Sequence, residues 1–510
     1  MPPLFSFENL YRQYLRCRRQ KRHTHNALRF EARLEDNLVR LREELEGRTY
    51  HPSRSVCFVV KQPKFREIFA ADFRDRVVHH VLIDVLERIW EPIFLHDSYA
   101  CRKGKGTHRA VKRLQQFMRR VTHNGTKPGF ALQLDIRGFF FHIDKERLYQ
   151  IIAKRMRDEA LLWLARTIIF HDCTEGAVYK TDRRLWRHIP PHKTLFGTEN
   201  QRGLPIGNLT SQFFSNVYLN ELDQFVKHQL KARQYLRYSD DFVLVHEDPA
   251  QLLAWREQIQ AFLAEQLRLS LTDPVAKPQL IKNGVDFLGY IVRPDYLLVR
   301  RRVVSRLKTR LAGYEARLVR RQPGWVVFTH QAATLGELRA SWASSLAHVK
   351  MAQSYRLRQA LLYRGWWLAH FFTVEDGLLR PREPGAVGRV GLKSQYDTVA
   401  RTYPEALVAC QVGCFYEWYD AAAKRVMRAC RLNPVRPRRG FDCQCGVPLR
   451  LWASTLPALL TLRLPLCVVR ETEESLGVVK ARRVAEYWQP IPPRFQRLAS
   501  LSFPTRPESF

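Results

Sequence analysis

Residues 237–246, RYSDDFVLVH, set two adjacent aspartates inside an apolar strand pattern. Tyr235–Tyr238 precede Asp240 and Asp241, and Phe242–Val245 follow them, so the stretch reads as a buried β-hairpin. A desolvated carboxylate is costly unless it is paired or metal-bound. Two side by side therefore need a chemical reason. Asp135 ends a second apolar strand, LQLDIRGFF, about a hundred residues earlier. Three carboxylates at neighbouring strand ends suit two divalent ions. Mg2+ prefers hard oxygen ligands, usually one or two carboxylates completed by phosphates, and Mn2+ could take its place. Two such ions can activate a 3′-hydroxyl and stabilise a leaving pyrophosphate.

Charge narrows the partners. The chain has 510 residues and a formal net charge of +35, from 84 Lys and Arg against 49 Asp and Glu. That excess points to a polyanion, above all nucleic acid. A membrane span needs about 20 apolar residues. The longest candidate, LPALLTLRLPLCVV, is interrupted by Arg463 and two prolines. The basic N-terminus lacks the order of a signal peptide, so a cytosolic location is expected. Ten cysteines, six of them after residue 400, are expected as thiols. Their spacing fits no zinc site.

The pattern along the chain predicts several elements. Residues 26–50 read as one basic amphipathic helix ending at Gly47. Residues 51–72 read as two strands around the turn KQPK, followed by a long helix. Residues 300–372 look mainly helical and basic. Residues 375–391, dense in Gly and Pro, read as a linker. Residues 392–490 mix helical and strand patterns and look like a separate small domain.

At this point the sequence resembles a bacterial reverse transcriptase related to group II intron enzymes. YSDD and LDIRGFF match the family's catalytic motifs, and GLPIGNLTSQFFSNVYLNELD the motif between them. GVDFLGY matches its primer grip, and RDRVVHHVL and SYACRKGKGTHRA its fingers. The order and spacing agree over about residues 20–370. The resemblance implies an α+β fold: a right-hand polymerase of fingers and palm (1–300) and helical thumb (301–374). A linker (375–391), a small α/β module (392–495) and a tail (496–510) follow. It implies metal binding by Asp135, Asp240 and Asp241, with template RNA, a cDNA or DNA primer and dNTPs as partners. Phe140 would be the steric gate against a ribose 2′-hydroxyl, while Phe139 would belong to the core. Lys64 and Arg66 would hold the triphosphate. Arg102 would contact substrate and Lys103 nucleic acid. Lys277 would protonate pyrophosphate, and Gly289 would lie in the primer grip.

The middle motif departs from the commoner QGxxxSP form. Ile206 stands for its glutamine and Gln212 for its proline, with Gly207 retained. This variant resembles the reverse transcriptases of diversity-generating retroelements, as does SWASSLAHVKMAQSYRLR (341–358). That likeness implies copying with errors at template adenines, mutagenic retrohoming, and a small basic accessory protein. A glutamine at position 206 could hydrogen-bond the nucleotide; Ile206 cannot, so discrimination should relax.

Residues 403–426, with FYEWYDAA at their centre, resemble the N-terminal mismatch-recognition domain of MutS proteins. The likeness continues to about residue 490. It implies that Phe415 wedges beside a mispair and that Glu417 hydrogen-bonds to it. Cys414 stands where MutS has Asp, and no GxxxxGK[ST] ATPase motif occurs. A binding module is therefore expected, reading mismatches or only docking. Two alternatives to the retroelement enzyme remain. One is a reverse transcriptase of an antiphage defence or other intron-like system. The other is a non-catalytic nucleic-acid-binding protein on a polymerase fold.

Overall fold

The computed structural model describes residues 3–19, 21–61, 64–199, 201–382, 391–476 and 479–491. The chain divides into two compact units, 1–297 and 298–510.

The first unit opens with helices α1 (Phe7–Arg18), α2 (His25–Glu31) and α3 (Leu34–Glu46). The expected single helix over 26–50 is thus two. Arg33 leaves helical geometry at φ −138°, and Asn37 Nδ2 donates to the carbonyl of Phe30 across the break, at 2.9 Å. Burying both Phe30 and Leu38 in one core bends the chain there. Strands β1 (Val56–Val60) and β2 (Arg66–Ala70) form the fingers hairpin. Helix α4 (Phe73–Trp90) follows, capped by the Asp72 carboxylate on Arg74 N. Then come α5 (Thr107–Val121), β3 (Phe130–Asp135), α6 (Phe139–His142), α7 (Lys145–Ala153) and α8 (Glu159–Phe170). Strand β4 (Val178–Tyr179) joins the fingers sheet in the order β2-β1-β4.

Helix α9 (Leu209–Gln224) is buried along most of its length. It leads into β5 (Tyr235–Tyr238), β6 (Asp241–His246), α10 (Pro249–Leu267) and β7 (Gln279–Leu280). The palm sheet has the order β5-β6-β3-β7. Strands β8 (Val285–Phe287) and β9 (Tyr290–Val292) form a hairpin, and β10 (Leu297–Val299) marks the unit boundary. Leu132, Leu134, Phe242 and Leu244 point from the palm into the main core beside α4 and α9. The alternate face carries Ala131, Val243 and Val245, also buried, and turns polar only at its end, with Gln133, Asp135 and Asp241.

The second unit corrects the expected layout. Helices α11 (Arg301–Leu318), α12 (Ala332–Lys350), α13 (Tyr355–Arg364) and α14 (Leu368–Phe371) fill the segment expected as a thumb. That segment also carries two hairpins, β11 (Val319–Gln322) with β12 (Trp325–Thr329), and β13 (Phe372–Glu375) with β14 (Leu378–Pro381). The second hairpin takes up the start of the expected linker. Residues 383–390 of the linker and the whole 496–510 tail lie outside the described residues.

Beyond come α15 (Leu392–Thr402), β15 (Leu407–Val412), β16 (Phe415–Tyr419), α16 (Asp420–Cys430), β17 (Gln444–Pro448), α17 (Trp452–Thr461), β18 (Leu466–Leu476) and β19 (Val479–Pro490). The five strands join one sheet with the first hairpin, in the order β11-β12-β19-β18-β15-β16-β17. The register runs from Trp325 opposite Pro490 to Thr329 opposite Glu486. Alternation makes the sheet two-faced. Val408, Cys410, Cys467, Val469 and Phe328 pack with Leu338, Trp342 and Trp367 of the helical segment. Leu407, Ala409, Leu466, Val468, Trp325 and Val327 pack with α16 and α17. The helical segment and the module share this core. No helix among the described residues is long and apolar enough to cross a membrane, and all ten cysteines are free thiols.

A fragment 392–510 lacks the partner strand of β19 and loses the buried Trp325 and Val327. It should unfold at lower urea than fragment 298–510, by about 3 kcal/mol or more given the area those side chains cover. Equal urea midpoints for the two fragments would mean that the hairpin contributes nothing to the module.

Candidate active site

The palm places Asp135 as the last residue of β3, directly opposite Asp241, the first residue of β6. Directly opposed residues have Cβ atoms about 5 Å apart. Ser239 and Asp240 make the turn between β5 and β6, and Ser239 has φ +59°. The Asp240 carbonyl accepts from Ile136 N at 3.3 Å, tying the turn to β3. Gln133, two residues before Asp135 and on the same face, donates to both oxygens of Asp241 at 3.1 and 3.3 Å. Thr272 donates to Asp135 twice, from its backbone N to the carbonyl at 2.8 Å and from Oγ1 to the carboxylate at 2.9 Å.

The electrostatics are dominated by desolvation of the carboxylates. Burial pushes the Asp241 carboxyl up to about 7; the Gln133 bond opposes this, while Asp135, Asp240 and Asp286 add to it. Burial, then the Asp135 charge, raises Asp240, and Arg66 counteracts. Burial raises Asp135 as well, against Thr272, Lys193 and Lys64. None of the three forms an ion pair among the described residues. Also among those residues, no three His, Cys, Asp or Glu side chains are grouped so as to hold a metal ion by themselves. A Mg2+ site built from one or two carboxylates and completed by substrate phosphates needs no such grouping. Asp135 and Asp241, opposed at the strand ends, with Asp240 on the adjoining turn, are donors of the right hardness for it.

Beneath the turn lies Arg237, fully buried with Asp223 of α9. A guanidinium has five N–H donors, and all five are used here. Nε and Nη2 bind the Asp223 carboxylate at 2.8 and 2.6 Å. Nη1 reaches Asn216 Oδ1 at 3.2 Å and the Ser239 carbonyl at 3.0 Å, and Nη2 also reaches Ser98 Oγ at 3.1 Å. Tyr235 adds its hydroxyl to Asp223 at 2.7 Å. The strained Ser239 is therefore pinned from below.

The remaining expected residues fall in different places. Phe139 is in the core and Phe140 is half-buried, their rings edge-to-face at 5.3 Å. The Phe140 carbonyl accepts from Leu204 N at 2.7 Å. Lys64 and Arg66 are exposed on the fingers and act electrostatically on Asp135 and Asp240 respectively. Ile206 packs beside Cys57, Phe69, Phe141 and Leu195, and its carbonyl takes Phe69 N at 2.9 Å. Gly207 has φ +126°, and a Cβ there would meet Ile68 Cγ2 at 2.8 Å and the Phe69 carbonyl at 2.9 Å, so only glycine fits against β2. Gln212 is exposed on the first turn of α9, and Lys277 is exposed in the loop that begins at Thr272. Leu288 (φ +51°) and Gly289 (φ +90°) form the two-residue turn of the β8–β9 hairpin.

Arg102 is a correction. Its guanidinium binds Glu91 at 2.9 Å and the carbonyls of Leu95 and Ser98 at 2.7 and 3.0 Å, and its side chain is 6% exposed. It is spent on fastening the end of α4 rather than presented at the surface. Lys103 remains at the surface in an exposed pair with Glu87, a weak tie.

Glu417 is a second correction. It is buried, its Oε1 accepts from Arg438 at 2.8 Å, and its Oε2 accepts from Arg438 at 2.9 Å and from the Tyr419 hydroxyl, so the carboxylate is committed to the protein interior and not presented to a base. Phe415 is 44% exposed at the start of β16. Sequence reasoning missed Thr272, Gln133, Asp286, Asp223, Arg237 and Lys193. Only Arg237 carried a local signal, a cation inside an apolar strand.

Comparison with known proteins agrees with this geometry. Residues 59–292 match the family described as reverse transcriptase (RNA-dependent DNA polymerase), and residues 390–488 match MutS domain I. The first span is a reverse transcriptase domain, an RNA-directed DNA polymerase by class. Among individual proteins, the chain is 26% identical over 316 residues to Protein YkfC of Escherichia coli K12, covering 55% of this chain and 77% of that one. It is 22% identical over 324 residues to the group II intron-encoded protein LtrA of Lactococcus lactis subsp. cremoris, 51% of this chain and half of that one. The C-terminal region is 34% identical over 94 residues to DNA mismatch repair protein MutS 2 of Haloarcula marismortui, 18% of this chain and 10% of that one.

Asp223→Asn leaves the Arg237 charge buried without its counter-ion. Removing one partner of a buried pair costs about 3–5 kcal/mol. The urea midpoint should fall by the corresponding amount, and primer extension should fall with it. An unchanged midpoint would show that the pair is not what holds the turn.

Proposed function

We propose that the whole chain copies a template RNA into cDNA for a diversity-generating retroelement, with errors concentrated at adenines. The observation that carries the polymerase reading is Asp135 facing Asp241, with Asp240 on the adjoining turn. The three carboxylates would hold Mg2+, or Mn2+ in its place, and when bound two such ions supply the charge that activates the primer hydroxyl and stabilises pyrophosphate. The protein's own parts do the rest. Arg237 fixes the turn, Gln133 and Thr272 orient the carboxylates, and Lys64 and Arg66 attract the triphosphate. Phe140 would close the space a ribose 2′-hydroxyl needs. A basic accessory protein would have to meet this basic chain through the RNA they share.

The retroelement reading rests on Ile206 and the IGNLTSQ variant. Ile206 offers only methyl groups where a glutamine would offer an amide. Supplied with primed RNA, dNTPs and Mg2+, the protein should make cDNA. Asp240→Asn should make none while melting no lower than wild type. Sequencing should find errors opposite template adenines, fewer in Ile206→Gln. Extension by Asp240→Asn would overturn the polymerase assignment. A uniform error spectrum unaffected by Ile206→Gln would favour another intron-like or defence reverse transcriptase.

We further propose that the C-terminal sheet carries a duplex-reading surface centred on Phe415, without help from Glu417. An exposed ring can wedge at a base step that unstacks easily. The full chain should bind a mismatched duplex more tightly than a matched one, and Phe415→Ala should remove the difference. Equal affinities in wild type would leave a docking surface as the better reading.

A further inference from the structure

Residues 171–203, between α8 and the middle motif, are fastened to the fingers. Strand β4 pairs with β1, and Thr181 Oγ1 accepts from Val59 N at 3.0 Å. Phe196 stacks on Tyr179 at 5.8 Å and leans on Phe69 at 5.5 Å. The main latch is Glu67 of β2, 1% exposed. Its carboxylate accepts from Trp186 Nε1 at 2.7 Å, Thr194 Oγ1 at 2.7 Å and Leu195 N at 2.9 Å. A buried carboxylate satisfied by three donors fixes the segment that supplies them. The latch lies one residue from Arg66 and brings residues 190–194 to the palm. There the His192 carbonyl lies 3.3 Å from the Cβ position of Gly138, three residues after Asp135.

The next residue, Lys193, is exposed and forms no ion pair among the described residues. Its charge acts on Asp135 in the same sense as that of Lys64. Arg137 and Lys193 both act on His192. Lys64, Arg66, Arg137 and Lys193 thus gather near the carboxylates from two separate segments of chain and from the strand end itself. Cations that form no ion pair among the described residues, set beside carboxylates, provide charge for an anion that both groups share.

We propose that Lys193 binds the triphosphate of the incoming nucleotide and the pyrophosphate that leaves it. This rests on the polymerase reading. In that reaction the primer 3′-hydroxyl oxygen bonds to the α-phosphorus and its proton passes to solvent. The bond from the α-phosphorus to the bridging oxygen of the β-phosphate breaks, and pyrophosphate departs with that electron pair. Lys193 donates hydrogen bonds to phosphate oxygens throughout and transfers no proton. Arg could replace it in charge, Gln could not.

The test compares wild type, Lys193→Gln and Lys193→Arg in the full chain on primed RNA. A lost charge-assisted contact predicts that the dNTP KM rises about ten-fold in Lys193→Gln. The kcat should stay within a few-fold, and inhibition by inorganic pyrophosphate should weaken by a similar factor. Lys193→Arg should restore most of both. Unchanged KM and pyrophosphate inhibition would overturn the proposal. So would a loss of primer–template affinity at unchanged KM, which would make Lys193 a nucleic-acid contact. Should wild type extend no primer, the polymerase reading fails by itself. Calorimetric titration of dNTP with Mg2+ into wild type and Lys193→Gln then decides: equal affinities, or no binding to either, reject the Lys193 contact.

Discussion

The buried ion pair of Arg237 and Asp223 is the contact on which the catalytic face depends. Its five hydrogen bonds join helix α9 and the turn at Ser239 to the segment around Ser98, 139 residues away in sequence. Two backbone bonds extend the tie, from Arg237 N to the Asp97 carbonyl and from Tyr99 N to the Arg237 carbonyl, both at 2.9 Å. Burying two charges is expensive, and a hydrophobic pair would often serve stability as well. What an apolar pair could not do is hold a turn carbonyl at φ +59° while leaving two carboxylates facing out. The cost is therefore tied to geometry at the surface above.

Strand alternation accounts for the paired aspartates. Phe242 and Leu244 enter the core, and Asp241 sits with Asp135 and Gln133 on the opposite face. This was legible because strand period is local and the two strands are marked by their own residues. Lys193 was not legible, since its position follows from a latch on Glu67 more than a hundred residues away. Arg102 was misplaced for the opposite reason. A Gly- and Lys-rich loop resembles a phosphate contact, but the local carbonyls and Glu91 claim this guanidinium first. The helix break at Arg33 was hidden because both halves keep an amphipathic pattern.

Glu417 makes the same point in the second unit. The FYE motif suggested an acceptor beside a wedge, while Arg438, in a basic loop that sequence alone does not bring near, occupies both oxygens. The wedge candidate and the acceptor candidate are two residues apart on one strand, yet one faces solvent and the other is sequestered. Motif matching supplied the strand, and packing decided what each side chain could still do.

The pairing of β12 with β19 carries a consequence for synthesis. A ribosome releases Val327 and Phe328 long before Trp488 and Tyr487, which lie opposite them in the finished sheet. At ordinary elongation rates the interval is on the order of ten to thirty seconds. Until then the helical segment must wait with an open strand edge and an uncovered apolar face, a state open to chaperones or to wrong partners. The reverse transcriptase domain precedes this delay and can fold ahead of it. Completion of the second unit is therefore a late, vectorial event, and a nascent chain cut short before β19 would carry a finished palm beside an unfinished neighbour.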